Sequence, residues 1–121
     1  MKKIIDLQEL FKSSVCSFEI AKQAKANGFN CENTFYSYDE QGELGDGGWL
    51  EKITGAKMYP AFSLPLAMGY LEHTNIPPDK FKDIELSEID GFYTIKYDTE
   101  IHTSKNVIDV ILMFVFKHYK K

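Results

Sequence analysis

The sequence predicts an α+β fold: a small antiparallel sheet built from two hairpins, with about three helices packed on it. Three observations carry this expectation. Aromatic, β-prone segments are joined by turns too short to hold a crossover helix. Amphipathic stretches with recognisable caps lie between them. The order along the chain is helix, strand pair, helix, strand pair, helix. At 121 residues there is material for one core and not for two, so a single α+β domain over 1–121 is expected. With 44% hydrophobic and 26% charged residues the composition is that of a globular chain and excludes disorder.

Asp6-Leu7-Gln8-Glu9 has the form of a capping box and predicts a short helical turn over Asp6 to Lys12. Ser17 is placed to cap a helix running from Phe18 to Asn27, a segment rich in Ala, Lys, Gln and Glu. Gly28 supplies the left-handed residue that ends it, and Phe29 can fold back on Ala24. Phe18, Ile20, Ala21, Ala24 and Phe29 make the inward stripe, with Glu19, Lys22, Gln23 and Lys25 outside. Thr34 to Tyr38 reads as a strand and Asp39 to Gly42 as the turn closing it. The glycine-rich stretch Gly45 to Gly48 then predicts a mobile loop, and Trp49 to Ile53 the returning strand.

Ser63 precedes Leu64-Pro65, and proline in a first turn loses no hydrogen bond, so a helix is expected from Leu64 to His73. Leu64, Ala67, Met68 and Leu71 share one face, and Gly69 suggests close approach by another backbone. Asn75-Ile76-Pro77-Pro78 ends the helix. Lys82 to Ile89, Asp90-Gly91, and Phe92 to Asp98 form the strongest hairpin signal in the chain. Ser104 is expected to cap a last helix from Lys105 to about Tyr119.

Charge and motifs narrow the function by exclusion. The net charge of −4 offers no basic face for phosphates, so nucleic acid is not an expected partner. The one basic cluster, Lys117, His118, Lys120 and Lys121, suits a helix C-terminus. The longest apolar run, Val107 to Phe116, is about half the ~20 residues a membrane span needs. Cys16 and Cys31 show neither a CxxC pair nor zinc spacing, and nothing near Met1 resembles a signal peptide, so reduced thiols in the cytoplasm are expected. Gly42 to Gly48 lacks the lysine of a phosphate loop and carries Glu43 and Asp46, which would repel phosphate. His73, His102 and His118 never fall four apart on a helix, so no metal and no cofactor is expected. His118 could be paired with a carboxylate such as Asp98, yet no nucleophile stands at a meaningful spacing; a helix-end imidazole is the preferred reading. No catalytic residue is assigned.

Three segments carry a family resemblance. They are Ser17-Phe18-Glu19-Ile20-Ala21-Lys22 with Asn27-Gly28-Phe29; Tyr38-Asp39-Glu40-Gln41-Gly42-Glu43-Leu44; and Ser63-Leu64 with Gly69-Tyr70-Leu71-Glu72 and Asn75-Ile76. In this respect the chain resembles a group of small uncharacterised proteins encoded by phages and prophages of gut bacteria. It departs from them at Tyr70-Leu71, where the family usually has a tryptophan-leucine pair, and across Gly45 to Tyr59. The matching residues are caps and packing residues. The resemblance therefore implies a fold and a genomic setting, and no activity.

The leading expectation is a non-enzymatic interaction or binding protein, a phage or prophage accessory factor. On a helical wheel Val107, Val110, Ile111, Phe114 and Val115 can cover a sheet, while Leu112, Met113 and Phe116 fall around Asp109 on the other side. Asp109, Leu112, Met113 and Phe116 are therefore the expected partner surface, with a homodimer as the economical cover and another bacterial or phage protein as the further candidate. The segment Ile4 to Phe11 folding over that side is the competing cover. The alternative function is a small-molecule-binding or hydrolytic domain with a pocket lined by Tyr36, Tyr38, Tyr93 and Tyr97.

Overall fold

In the computed structural model, residues 14–31, 34–46 and 50–119 are described; the expectations for Asp6–Lys12 and Ile4–Phe11 lie outside them. The chain divides into two units, Met1–Ser63 and Leu64–Lys121, and each contains one three-stranded antiparallel sheet. The α+β class is as the sequence implies. The two hairpins have each gained a third strand, and they build two sheets.

In the first unit α1 spans Phe18–Ala26, and Ser17 Oγ accepts from the Ile20 amide at 3.3 Å. The helix closes as its glycine dictates: Gly28 has φ +93°, its amide donates to Lys25 O at 3.1 Å, and Phe29 N donates to Ala24 O at 3.0 Å. Ile20, Ala21 and Ala24 are buried, which is the predicted stripe. The central strand β1 (Tyr36–Tyr38) runs into a turn held by Asp39 Oδ1, which accepts from the amides of Gln41 and Glu43 at 2.9 and 3.0 Å. Gly42 has φ +81°, and a Cβ there would lie 3.0 Å from the Phe18 ring.

The return strand is β2 (Leu44–Gly45), directly after the turn, with Ser37 opposite Gly45 and Tyr38 opposite Leu44. Gly45 is thus a strand residue. The expected return strand at Trp49–Ile53 is corrected: Leu50–Thr54 is a short helix, α2. The nearest chain after the turn takes the hydrogen bonds, which frees the next segment for helix. Gly47, Gly48 and Trp49 lie outside the described residues. The other side of β1 pairs with β3 (Tyr59–Ala61), where Pro60 stands opposite Ser37. Proline is tolerated because β3 is an edge. Around this sheet the Tyr38 hydroxyl donates to Cys16 O at 2.6 Å, and Phe18 packs on the rings of Tyr38 and Tyr59 at 5.4 and 5.5 Å. Lys25 pairs with Glu51 and donates to Met58 O at 2.6 Å, pinning α1 to the chain after α2. Among the described residues there is no disulfide, with Cys16 buried and Cys31 half-buried.

The second unit begins with α3 (Leu64–Leu71), in which Ala67 alone is buried while Leu64 and Met68 are exposed. Nothing lies within 4 Å of a Cβ placed at Gly69, so the expected close backbone approach there is corrected. After a 3-10 turn over Pro78–Asp83 come β4 (Glu85–Ile89) and β5 (Phe92–Tyr97). Asp90 at φ +53° and Gly91 at φ +84° make the two-residue turn the sequence announces. A third strand, β6 (Glu100–Ser104), follows a second tight turn with Asp98 at φ +56°.

Ser104 therefore ends a strand, and its predicted capping role passes to Asn106. The helix α4 spans Val107–His118, and Asn106 Oδ1 accepts from the Ile108 and Asp109 amides at 2.8 and 3.2 Å. Packed against β5, β6 and α3, α4 buries Ile108 through Leu112, Phe114 and Val115. Among the described residues no helix is long and apolar enough to cross a membrane.

The cap assignment is testable. Asn106→Ala should cost about 1 kcal/mol, which lowers Tm by about 4 °C in a domain of this size. Asn106→Asp, which keeps the acceptor beside the helix N-terminus, should restore it; equal losses from both substitutions would assign the stabilisation elsewhere.

Candidate functional site

The two faces of the second sheet follow from its register. Tyr97 stands opposite Glu100, Ile95 opposite His102 and Tyr93 opposite Ser104, so these six share one face. Phe114 of α4 meets the rings of Tyr97 and His102 at 5.9 and 6.3 Å, which identifies this as the face under the helix. Because strand residues two apart point the same way, Glu100 and His102 both reach up toward α4. His118, in the last helical turn, closes the group.

Glu100 is the centre of this cluster. Its Oε2 lies 2.5 Å from His102 Nε2, its Oε1 lies 2.7 Å from His118 Nε2, and Lys117 Nζ is 3.3 Å from Oε1. The Glu100 side chain is 10% exposed, so these contacts replace most of its water. Burial alone would push its carboxyl up; the hydrogen bonds from His102, His118 and Lys117, with the His118 charge, outweigh burial and hold it below the usual carboxylate range. Phe114 stacks on the His118 ring at 4.6 Å and Tyr97 on the same ring at 5.8 Å, walling the group with aromatic edges. The preferred reading of His118 as a helix-end imidazole locates it correctly, but its acid is Glu100 and not Asp98. Strand alternation beyond the Asp98 turn is the signal that could have found this, since it places Glu100 and His102 on the helix side.

Each Glu100 carboxylate oxygen already has an imidazole partner, and among the described residues no three His, Cys, Asp or Glu side chains are placed to hold a metal. On the opposite face of the sheet lie Ile89 and Phe92, paired across the hairpin, then Thr94 and Lys96, and on β6 Thr103 and Ile101. Here the apolar side chains are open: Ile89 is 71%, Ile101 61% and Phe92 44% exposed. Lys105 Nζ sits 5.4 Å over the Phe92 ring, and the Thr94 and Thr103 hydroxyls meet at 3.2 Å.

The residues singled out from the sequence are distributed differently. Tyr36 and Tyr38 belong to β1 of the first unit, Tyr93 and Tyr97 to β5 of the second. Tyr38 is 1% exposed and spends its hydroxyl on Cys16 O, while Tyr97 packs into the Glu100 cluster. Tyr38 is therefore a core residue, and Tyr97 is half-buried against α4. Asp109 and Leu112 are interior and not on the surface, in a helix that packs on α3, β5 and β6. Met113 and Phe116 are half-buried. Comparison of the chain with known protein families, with curated proteins and with solved structures finds no match.

The depressed Glu100 carboxyl sets a pH dependence with a definite sign. Its contribution is fully present above the unfolded value of about 4.3 and is lost as pH falls through the lower folded value. Glu100→Gln should therefore unfold more easily than wild type in urea at pH 7, by about 2 kcal/mol for hydrogen bonds to a charged group. The gap should close as pH falls below about 4; a gap that stays undiminished well below that pH would mean that Glu100 is not held as an anion.

Proposed function

We propose that this chain is a non-enzymatic binding protein, a phage or prophage accessory factor that works in the cytoplasm and engages another protein through the open face of its second sheet. The observation that carries the reading is the exposure of Ile89, Phe92 and Ile101 on the face turned away from α4. A one-sided antiparallel sheet ordinarily turns polar residues to water; here the Ile89–Phe92 pair stands open at the hairpin end and Ile101, opposite Lys96, at the other, with Thr94 and Thr103 between them, and such open apolar side chains suit a contact surface. The reading also draws support from Glu100, the carboxylate gathered among two histidines and a lysine, which is engaged in joining β6 to α4. The phage setting rests on the resemblance of the Ser17–Lys22, Tyr38–Leu44 and Ser63–Ile76 segments. A second copy of the chain is the first partner to test, now with the sheet face as its seat.

The test pairs wild type with the double substitution Phe92→Ser and Ile101→Ser, both at exposed positions that leave the core intact. Sedimentation velocity at high micromolar concentration reads self-association, and quantitative capture from a bacterial lysate reads other partners. A dimer or a captured protein that is lost at least tenfold in the variant, with an unchanged circular dichroism spectrum, supports the sheet face. A monomer whose capture profile matches the variant's overturns it, and a dimer broken instead by Met113→Glu with Phe116→Glu would return the contact to α4.

A further inference from the structure

We infer that β4 is a docking edge that accepts an extended, basic strand from a partner protein by antiparallel pairing. The inference rests on the binding reading above and names the chemistry of the partner. Strand order β4-β5-β6 leaves one side of β4 without a strand among the described residues, and all five of its side chains are exposed. Edges that must stay single are ordinarily blunted by charged side chains, lysine above all, by proline, by a bulge or by extreme shortness; in β4 that charge is Glu85 and Glu88, which repel a like-charged strand but not a basic one. Glu85-Leu86-Ser87-Glu88-Ile89 contains neither lysine nor proline, pairs with β5 in unbroken register, and holds Leu86 at 50% and Ile89 at 71% exposure. Apolar contact is thus offered on both faces of the strand.

Charge selects the occupant. Glu85 and Glu88 lie within the strand and Asp83 and Asp90 flank it, with Lys96 opposite Glu85 on the inner neighbour. Glu88 Oε1 accepts from the Gly91 amide at 2.8 Å and remains exposed. A second copy would bring the same four carboxylates to the seam, and like charges facing across strands are destabilising. An incoming basic strand instead gains from each carboxylate while its apolar positions meet Leu86 and Ile89. Side chains of directly opposed residues point to the same face, so the complement can be written residue by residue. Opposite Ile89, Glu88, Ser87, Leu86 and Glu85, in its own direction, the partner would read valine, lysine, threonine, valine, lysine.

The probe is a synthetic peptide of that sequence with a glycine at each end, acetylated and amidated, titrated into the full chain at low salt and followed by amide NMR. Shift changes that saturate and centre on residues 85–89 are expected, weakening about tenfold in Glu85→Lys with Glu88→Lys and falling with added salt. A control peptide with glutamate in place of both lysines should not bind. No saturable change up to millimolar peptide, equal binding of the control, or shifts centred away from β4 would each overturn the edge. The Phe92→Ser and Ile101→Ser variant separates the two readings. Peptide binding retained there while capture is lost supports both, and absent peptide binding with sheet-dependent capture overturns the edge alone.

Discussion

Across its twelve residues, Val107–His118 carries ionisable side chains only at Asp109, Lys117 and His118. Such a helix cannot rest on a surface with one side in water, because its apolar side chains occupy the whole circumference. It needs cover on more than one side. The second unit supplies the sheet face of β5 and β6 on one side and α3 on another, and the result is an unbroken buried run from Ile108 to Leu112 with Phe114 and Val115 beyond it. Each fully buried aliphatic or aromatic side chain contributes about 1.5–3 kcal/mol, so this one element supplies most of the driving force for its unit. Among the large side chains with least exposure, Phe114, Ile111, Leu112, Val110 and Val115 all come from this helix.

A helix held by apolar contacts alone can rotate or slide, and the Glu100 cluster removes that freedom at its C-terminal end. Burying a carboxylate costs more than a single partner returns, and two imidazoles and an ammonium together are what keep Glu100 charged. The geometry also reports register. A slip of β6 by one residue would turn Glu100 and His102 out to water and bring Ile101 beneath the helix. His118 would then face an alkyl group where it now has a carboxylate at 2.7 Å. The cluster therefore supplies specificity for one alignment of β6 under α4, which the apolar contacts by themselves do not distinguish.

How much of this was legible divides along the same line. Local rules read well wherever one residue type decides the backbone. Ser17 and Gly28 bound α1, and Asp90-Gly91 turns β4 into β5, because capping and positive φ are short-range requirements. What failed was anything settled by distant pairing. The strand β3 was missed because Pro60 argues against a strand until its edge position is known. Trp49–Ile53 reads as a strand because nothing local says that Leu44–Gly45 has already paired with β1. Ser104 looked like a cap because Glu100–Ser104, with only five residues and alternating exposure, carries a weak strand signal beside the apolar run that follows. The Glu100 site was invisible for a related reason. Its members come from β6 and from the far end of α4, and only the third strand brings them together.

The same missing layer explains why the expected partner surface moved. An apolar surplus on Leu112, Met113 and Phe116 implies an outside cover only if the chain has none of its own. Leu112 and Asp109 are interior, whereas Met113 and Phe116 stay half-buried, so only part of that surplus is left for an outside cover. The second sheet has no comparable explanation for its outer side. Over β5 and β6 its inner face is covered by α4, yet the outer face keeps Ile89, Phe92 and Ile101 in water, with a lysine drawn over the Phe92 ring as partial cover. Removing such groups from solvent would return about 25 cal/mol for each Å² of apolar area, and nothing in the stability of the unit requires them there. Under the binding function proposed above, these are the side chains that a partner would take out of water.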